Sequence, residues 1–143
     1  MTVAFWDISA IVPLCVHQSR TSLLARLARK QGRLVVWWGT PVEARSALAR
    51  LVREAAITEG GYDQAAARLL VLRRTWAEVL PTERVRSLAE MLPAQYDLRG
   101  ADAFQLAAAM VWARERPRNR PFVCYDRKLA LAADRIGFSV IIQ

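Results

Sequence analysis

Short runs rich in β-branched and aromatic residues alternate along this chain with longer stretches of helical periodicity. Val3–Asp7 predicts the first strand. The segment after it sets Leu23, Leu24, Leu27 and Ala28 on one face and predicts a helical stretch ending near Gly32. Leu34–Trp38 is apolar at every position, which suits a strand covered on both faces. In Gly39-Thr-Pro-Val-Glu43, Thr40 falls at the N-cap, Pro41 at the first helical position and Glu43 at the third, a capping box that predicts a helix to about Glu54. Gly60-Gly61 predicts a break, Tyr62–Arg74 a helix, Trp76–Leu80 a short strand, and Thr82–Met91 a helix stopped by Pro93. Residues 99–115 predict a helix that turns Ala103, Leu106, Ala107, Met110 and Val111 inward. Pro121–Tyr125 predicts a strand, 127–136 a helix with Gly137 just past its end, and Phe138–Ile142 a last strand. This alternation predicts an α/β fold, a three-layer α/β/α domain around a mostly parallel central sheet. No repeat, low-complexity tract or linker interrupts it, so residues 1–143 read as one domain.

Composition narrows the class. Hydrophobic residues make up 54% of the chain and charged residues 24%, a globular balance that excludes a disordered segment. The net charge is +8, and nearly all of the positive charge is Arg, because Lys30 and Lys128 are the only lysines. Such a surplus suits a polyanionic partner, nucleic acid or an acidic protein, and equally a plain basic surface. Cys15 and Cys124 lie far apart in apolar runs, as buried reduced thiols of a cytoplasmic protein would. No Cys/His cluster has zinc spacing. The N-terminus carries no Lys or Arg before its apolar stretch, and Asp7 interrupts that stretch, so it is a poor signal peptide. No apolar run is long enough for a bilayer, and no membrane is expected.

The acids carry the chemical signal. Of 13 Asp and Glu residues, most fall on predicted exposed helix faces, and four do not. Asp7 ends the first strand, Glu43 opens the helix after the second, Asp102 sits in the first turn of the Ala-rich helix, and Asp126 ends the strand Phe122–Tyr125. Ligands of open α/β sheets bind outside the carboxyl ends of the strands. Asp7, Glu43 and Asp126 lie at such ends, and Asp102 joins them if its helix starts at the same edge. Carboxylates gathered there either hold protons at neutral pH or are offset by a cation. All-oxygen donors without a Cys/His set point to Mg²⁺ or Mn²⁺. Each acid also has a local reading: Asp7 and Asp126 as helix caps, Glu43 as the acid of a capping box, Asp102 as a complement to the helix dipole. The functional reading draws on the four together.

These motifs resemble the PIN-domain family, more narrowly its VapC-type toxin ribonucleases. Ala4-Phe-Trp-Asp-Ile-Ser-Ala10 is similar to the family's opening strand and its Asp followed by Ser-Ala, and Thr40-Pro-Val-Glu43 to its Ser/Thr-x-x-Glu segment. Leu98-Arg-Gly-Ala-Asp-Ala-Phe-Gln-Leu-Ala-Ala108 matches its most distinctive stretch, and Tyr125-Asp-Arg-Lys-Leu-Ala-Leu-Ala-Ala133 with Gly137 its closing segment. The resemblance spans the chain in order. It departs at Ile8, where the family often has Thr or Ser, and at Gln105, where His is common; neither is an acid position.

The resemblance implies a metal-dependent endoribonuclease acting on single-stranded RNA, a homodimer, and a cognate antitoxin protein that inserts a segment into the active site. Asp7, Glu43, Asp102 and Asp126 would then hold one or two Mg²⁺ or Mn²⁺ ions, partly through waters. Activated water would attack a phosphodiester in line, leaving a 5′-phosphate and a 3′-hydroxyl. Ser9 and Thr40 would orient a water or a phosphate oxygen, or simply cap; Arg99, one turn before Asp102, would clamp a phosphate or be an ordinary surface charge. Arg127 and Lys128 read as solvated charge and Asp97 as a turn former. Trp6, Trp37 and Trp38 read as core or dimer interface rather than base-stacking surfaces, and His17 is given no role. Two rivals stand beside this reading. An aspartate-based Mg-dependent phosphatase or receiver domain also gathers acids at strand ends, but it needs a Lys at a later strand end, where this chain has none. A catalytically silent PIN-like module binding RNA or protein gains nothing from clustered negative charge.

Overall fold

The computed structural model describes residues 3–30 and 32–141. Its elements are β1 (Ala4–Trp6), α1 (Ile8–Cys15), α2 (Thr21–Lys30), β2 (Leu34–Trp37), α3 (Thr40–Arg53), α4 (Glu59–Arg73), β3 (Ala77–Val79), α5 (Glu83–Gln95), α6 (Gly100–Trp112), β4 (Pro121–Val123), α7 (Arg127–Ile136) and β5 (Ser139–Ile141). The strands form one sheet in the order β3-β2-β1-β4-β5, and every pairing is parallel. Alternation along each strand divides the core. Phe5, Val35, Trp37 and Phe122 pack on one face with α5, α6 and α7, while Ala4, Trp6, Leu34, Val36 and Val123 pack on the other with α1, α3 and α4. The expected three layers are therefore present, and both faces are covered, as a parallel sheet requires.

Strand order positions the site. From β1 the chain winds outward through β2 to β3, with α1 to α4 on one face. It then crosses beneath and returns to the other side of β1, adding β4 and β5 with α5 to α7 on the opposite face. The segments leaving β1 and β4 therefore diverge to opposite faces, and a crevice opens between two neighbouring strand ends. This is the switch point at which doubly wound sheets bind ligands.

Several expected boundaries differ for identifiable reasons. The strands are shorter than their apolar runs: Asp7 and Asp126 cap helices instead of ending strands, Trp38 lies past β2, and Ile142 lies outside the described residues. The first helical stretch is two helices. Val16 turns extended (φ −133°, ψ 139°), and the Thr21 hydroxyl then donates to Pro13 C=O (2.7 Å), which folds α2 back on α1. The Gly60-Gly61 pair lies in the first turn of α4, because the Thr58 side chain caps the helix by accepting from Gly61 N–H (3.0 Å). Pro93 does not stop α5, which runs two residues beyond it. The proline removes one bond near the helix end, while Val85, Leu88, Ala89 and Leu92 stay buried.

The capping box at Thr40 is absent. Gly39 is the N-cap of α3 and Thr40 is the first helical residue, with its hydroxyl turned into the protein. Gly39 fits here for a steric reason: a Cβ on it would lie 2.5 Å from Trp37 Nε1. Trp37 is held where it is by burial and by stacking on Phe104 (centroids 5.3 Å apart, planes 7° apart), contacts it would give up by moving. Trp6 is likewise core, whereas Trp38 is 52% exposed. Gly39→Ala should force Trp37 off Phe104 and cost about 1–3 kcal/mol, the usual penalty of overpacking. Chemical denaturation would show the lower midpoint, and near-UV circular dichroism the displaced indole. Wild-type stability in this variant would refute the close approach.

Candidate active site

Asp7 follows β1 directly, and its backbone N–H donates to Val123 C=O (3.0 Å), tying the ends of β1 and β4 together. Its side chain caps α1 through Oδ2, which accepts from Ser9 N–H (3.1 Å) and from the Ser9 hydroxyl (2.6 Å). Ser9 Oγ in turn accepts from Tyr125 N–H (2.8 Å), so one hydroxyl bridges the two diverging segments. Cys124 Sγ lies 3.7 Å from Asp7 Oδ2, a weak contact from a buried thiol. Asp7 is 1% exposed, and its Oδ1 is buried with no hydrogen-bond partner. Burial pushes the carboxyl up to about 6, against the pull of the Ser9 and Ile8 hydrogen bonds, and the charge of Asp102 adds to the rise.

Glu43 reaches the same edge from the first turn of α3. Both of its carboxylate oxygens lie 3.3 Å from Gln105 Nε2, which also stands 3.4 Å from Thr40 Oγ1. Gln105 and Thr40 are fully buried, and Gln105 Oε1 has no partner. Burial pushes Glu43 up to about 7; donation from Gln105 opposes this, and the charges of Asp7 and Asp102 reinforce it. Asp102, in the first turn of α6, accepts from Arg99 N–H through Oδ2 (3.3 Å). Its carboxyl is raised by burial and by the charge of Asp126, against the Arg99 N–H and the charges of Arg99 and Lys128. Asp126 caps α7 through Oδ1, which accepts from Leu129 N–H (3.0 Å).

At the switch-point edge the charges of Asp7 and Asp102 reach Glu43, that of Asp102 reaches Asp7, and that of Asp126 reaches Asp102. Asp7, Asp102 and Asp126 each accept their cap bonds through a single oxygen. The all-oxygen donor set and the unpartnered Oδ1 of Asp7 suit a hard divalent cation. Among the described residues, no three His, Cys, Asp or Glu side chains converge tightly enough, as they stand, to grip one ion. Ser9 Oγ is engaged with Asp7 and Tyr125, so it positions the carboxylate rather than pointing toward a ligand. Thr40 neither caps nor faces outward; it meets Gln105. Arg99 is exposed at the start of α6 and, among the described residues, has no ion-pair partner, whereas Lys128 pairs with Asp97 (2.7 Å). Sequence reasoning missed the hub made by Gln105. Its signal was an amide one helical turn after Asp102, on the inward face of an otherwise apolar helix.

No family model and no curated protein matches the sequence. Among solved structures, the fold is similar to that of Mycobacterium tuberculosis VapC20, described as a sarcin–ricin loop cleaving toxin. The TM-score is 0.66 at 18% identity, over 92% of this chain and 95% of that one. It is also similar to VapBC-5 of M. tuberculosis, a member of the VapBC family of toxin–antitoxin systems, with TM-score 0.61 and 18% identity over 99% of this chain and 98% of that one. The likeness is one of fold: this chain has the PIN-like architecture of VapC toxins.

The raised carboxyl of Asp7 fixes the sign of a stability effect. Below about pH 4 Asp7 is protonated in both the folded and the unfolded chain, and its contribution is at its most favourable. As pH rises, the unfolded chain releases this proton first, and the advantage is gone once pH passes the folded value of about 6. The loss is about 3 kcal/mol, and Glu43, raised to about 7, acts in the same direction. In metal-free buffer, Asp7→Asn should be more stable than wild type at pH 7.5 and much less so at pH 4.5. Parallel melting curves across that range would refute the buried, raised carboxyl.

Proposed function

We propose that this protein is a metal-dependent endoribonuclease that cuts single-stranded RNA, acting as the toxin of a VapBC-type toxin–antitoxin pair. One observation carries the reading. In a fold like that of VapC toxins, four carboxyls stand along the edge where the topology switches, linked in charge through Asp102, and the most buried of them keeps an oxygen with no hydrogen-bond partner. A site for polyanions alone would not gather acids there. The +8 charge of the chain supplies the long-range attraction for RNA that the acid crevice lacks.

Asp7, Glu43, Asp102 and Asp126 would hold Mg²⁺ or Mn²⁺. The chemistry a divalent ion supplies when bound there is acidification of water and offset of charge at the phosphodiester. Asp7 is the fixed member, its orientation set by Ser9 Oγ and the α1 cap. Gln105 Nε2 holds the Glu43 carboxylate in place from α6. Arg99, unpaired among the described residues and next to Asp102, is placed to hold a phosphate oxygen. The products are a 5′-phosphate and a 3′-hydroxyl. By the same reading the toxin works in the cytoplasm as a homodimer, and an antitoxin silences it by inserting a segment into the crevice. Among the described residues, no helix is long and apolar enough to cross a membrane.

With end-labelled single-stranded RNA, wild-type protein should cleave in Mg²⁺ or Mn²⁺ and stop in EDTA. Asp7→Asn should lose more than about a hundredfold in rate, beyond the 10–100-fold typical of residues that only support a metal ligand. Equal cleavage by the two proteins would sink the assignment. Expression in a bacterial host should arrest growth, and co-expression of the protein encoded next to this gene should relieve the arrest.

A further inference from the structure

Beside the acid crevice lies a groove of about 550 Å³, within the range of small-ligand clefts, lined by Arg20, Tyr125, Arg127, Leu131, Asp134 and Val140 and sharing Asp126 with the site. One wall is a built plate. The Arg20 guanidinium lies over the Tyr125 ring, 4.1 Å from its centroid. Tyr125 is held from behind, because its backbone N–H donates to the Ser9 hydroxyl that also binds Asp7. Arg20 is anchored where its C=O accepts from Leu24 N–H (3.1 Å) at the start of α2. Leu131, half exposed, and Val140 give the groove an apolar side, and Arg127 places a second cation at the rim.

We infer that this groove is a nucleobase subsite, where one unpaired base of an RNA strand stacks on the Arg20–Tyr125 plate while its phosphodiester lies across the neighbouring acids. The inference rests on the ribonuclease reading and adds to it the residues that seat the strand. Guanidinium planes and aromatic rings are the surfaces on which single-stranded bases stack, and they accept every base because each presents a π-face. Arg20 and Arg127 flank the groove where the phosphates on either side of that base would run. Asp126 and Asp134 on its wall disfavour an acidic peptide as the occupant, whereas a base edge donates N–H groups to carboxylates. Tyr125 precedes Asp126 in the chain, so a base seated here places its own phosphate within a residue's reach of a candidate metal ligand.

Fluorescence anisotropy in EDTA, where no cleavage occurs, tests this with a labelled short RNA of mixed sequence and an equally long abasic ribose-phosphate strand. Wild type should prefer the base-bearing strand. Tyr125→Leu and Arg20→Lys should each weaken it by about tenfold, the scale of losing one stacked base. Both should leave the abasic strand unaffected, because both keep the charge. Tyr125→Phe, which preserves the ring, should bind as wild type. Arg20 is exposed, so its substitution leaves the fold intact even if Tyr125→Leu does not. Equal affinity of wild type, Arg20→Lys and Tyr125→Leu for base-bearing RNA would overturn the subsite alone and leave the groove to a protein partner. A wild-type protein that neither binds nor cuts RNA would overturn the ribonuclease reading and the subsite with it.

Discussion

Asp7 leaves the central strand at the point where its neighbour β4 sends the chain to the opposite face, and its carboxyl is buried between the two diverging segments. Burial there disfavours its charge, and its short hydrogen bonds, both from Ser9, fall on one oxygen, leaving the other without a partner. Other features of the site follow from this placement. Ser9 has to serve both strand exits at once, because the same crevice separates them. Glu43, brought in from α3, is held back from ionising by burial and then by the charges of Asp7 and Asp102, and Asp102, from α6, by burial and then by the charge of Asp126. The crevice holds an electrostatic tension that a proton or a cation can release.

Structure and chemistry are not assigned to separate residues here. Asp7, Asp102 and Asp126 each tie down a helix N-terminus, so the local roles of these acids are real. Carboxylates have two oxygens, however, and a cap needs only one. Anchoring one oxygen to a backbone N–H fixes where the other lies, which makes helix capping a means of holding the acids at the crevice. Glu43 differs: it caps nothing, and a buried glutamine from another element holds it.

Much of the architecture was legible in the chain. The alternation of apolar runs with periodic helices indicated the three layers, and the C-terminal helix Arg127–Ile136 with Gly137 beyond it was readable to the residue. Ends set by tertiary contacts were not. Pro93 and Gly60-Gly61 are breakers by local rule, yet they sit inside helices whose buried faces or caps outweigh it. Thr40 has every local mark of an N-cap, but its hydroxyl faces Gln105, 65 positions later in the chain. The four acids could be picked out singly from their places at strand and helix ends. Their common crevice depends on β4 lying beside β1, a pairing that no stretch of local sequence encodes. Gln105 was visible only as a departure from the resembling family, because its role depends on two residues that the fold brings to it.

The pairing of Phe5 with Phe122 carries a kinetic consequence. Phe122 follows Phe5 by 117 positions, so the sheet closes through a contact of very long sequence separation, which slows assembly. Until β4 and the turn bearing Asp126 have emerged from the ribosome, Asp7 has no opposite wall and Ser9 no backbone N–H from Tyr125 to receive. A nascent chain therefore cannot assemble this corner of the sheet until β4 has been made, and the segment between the two strands must wait for its last partner.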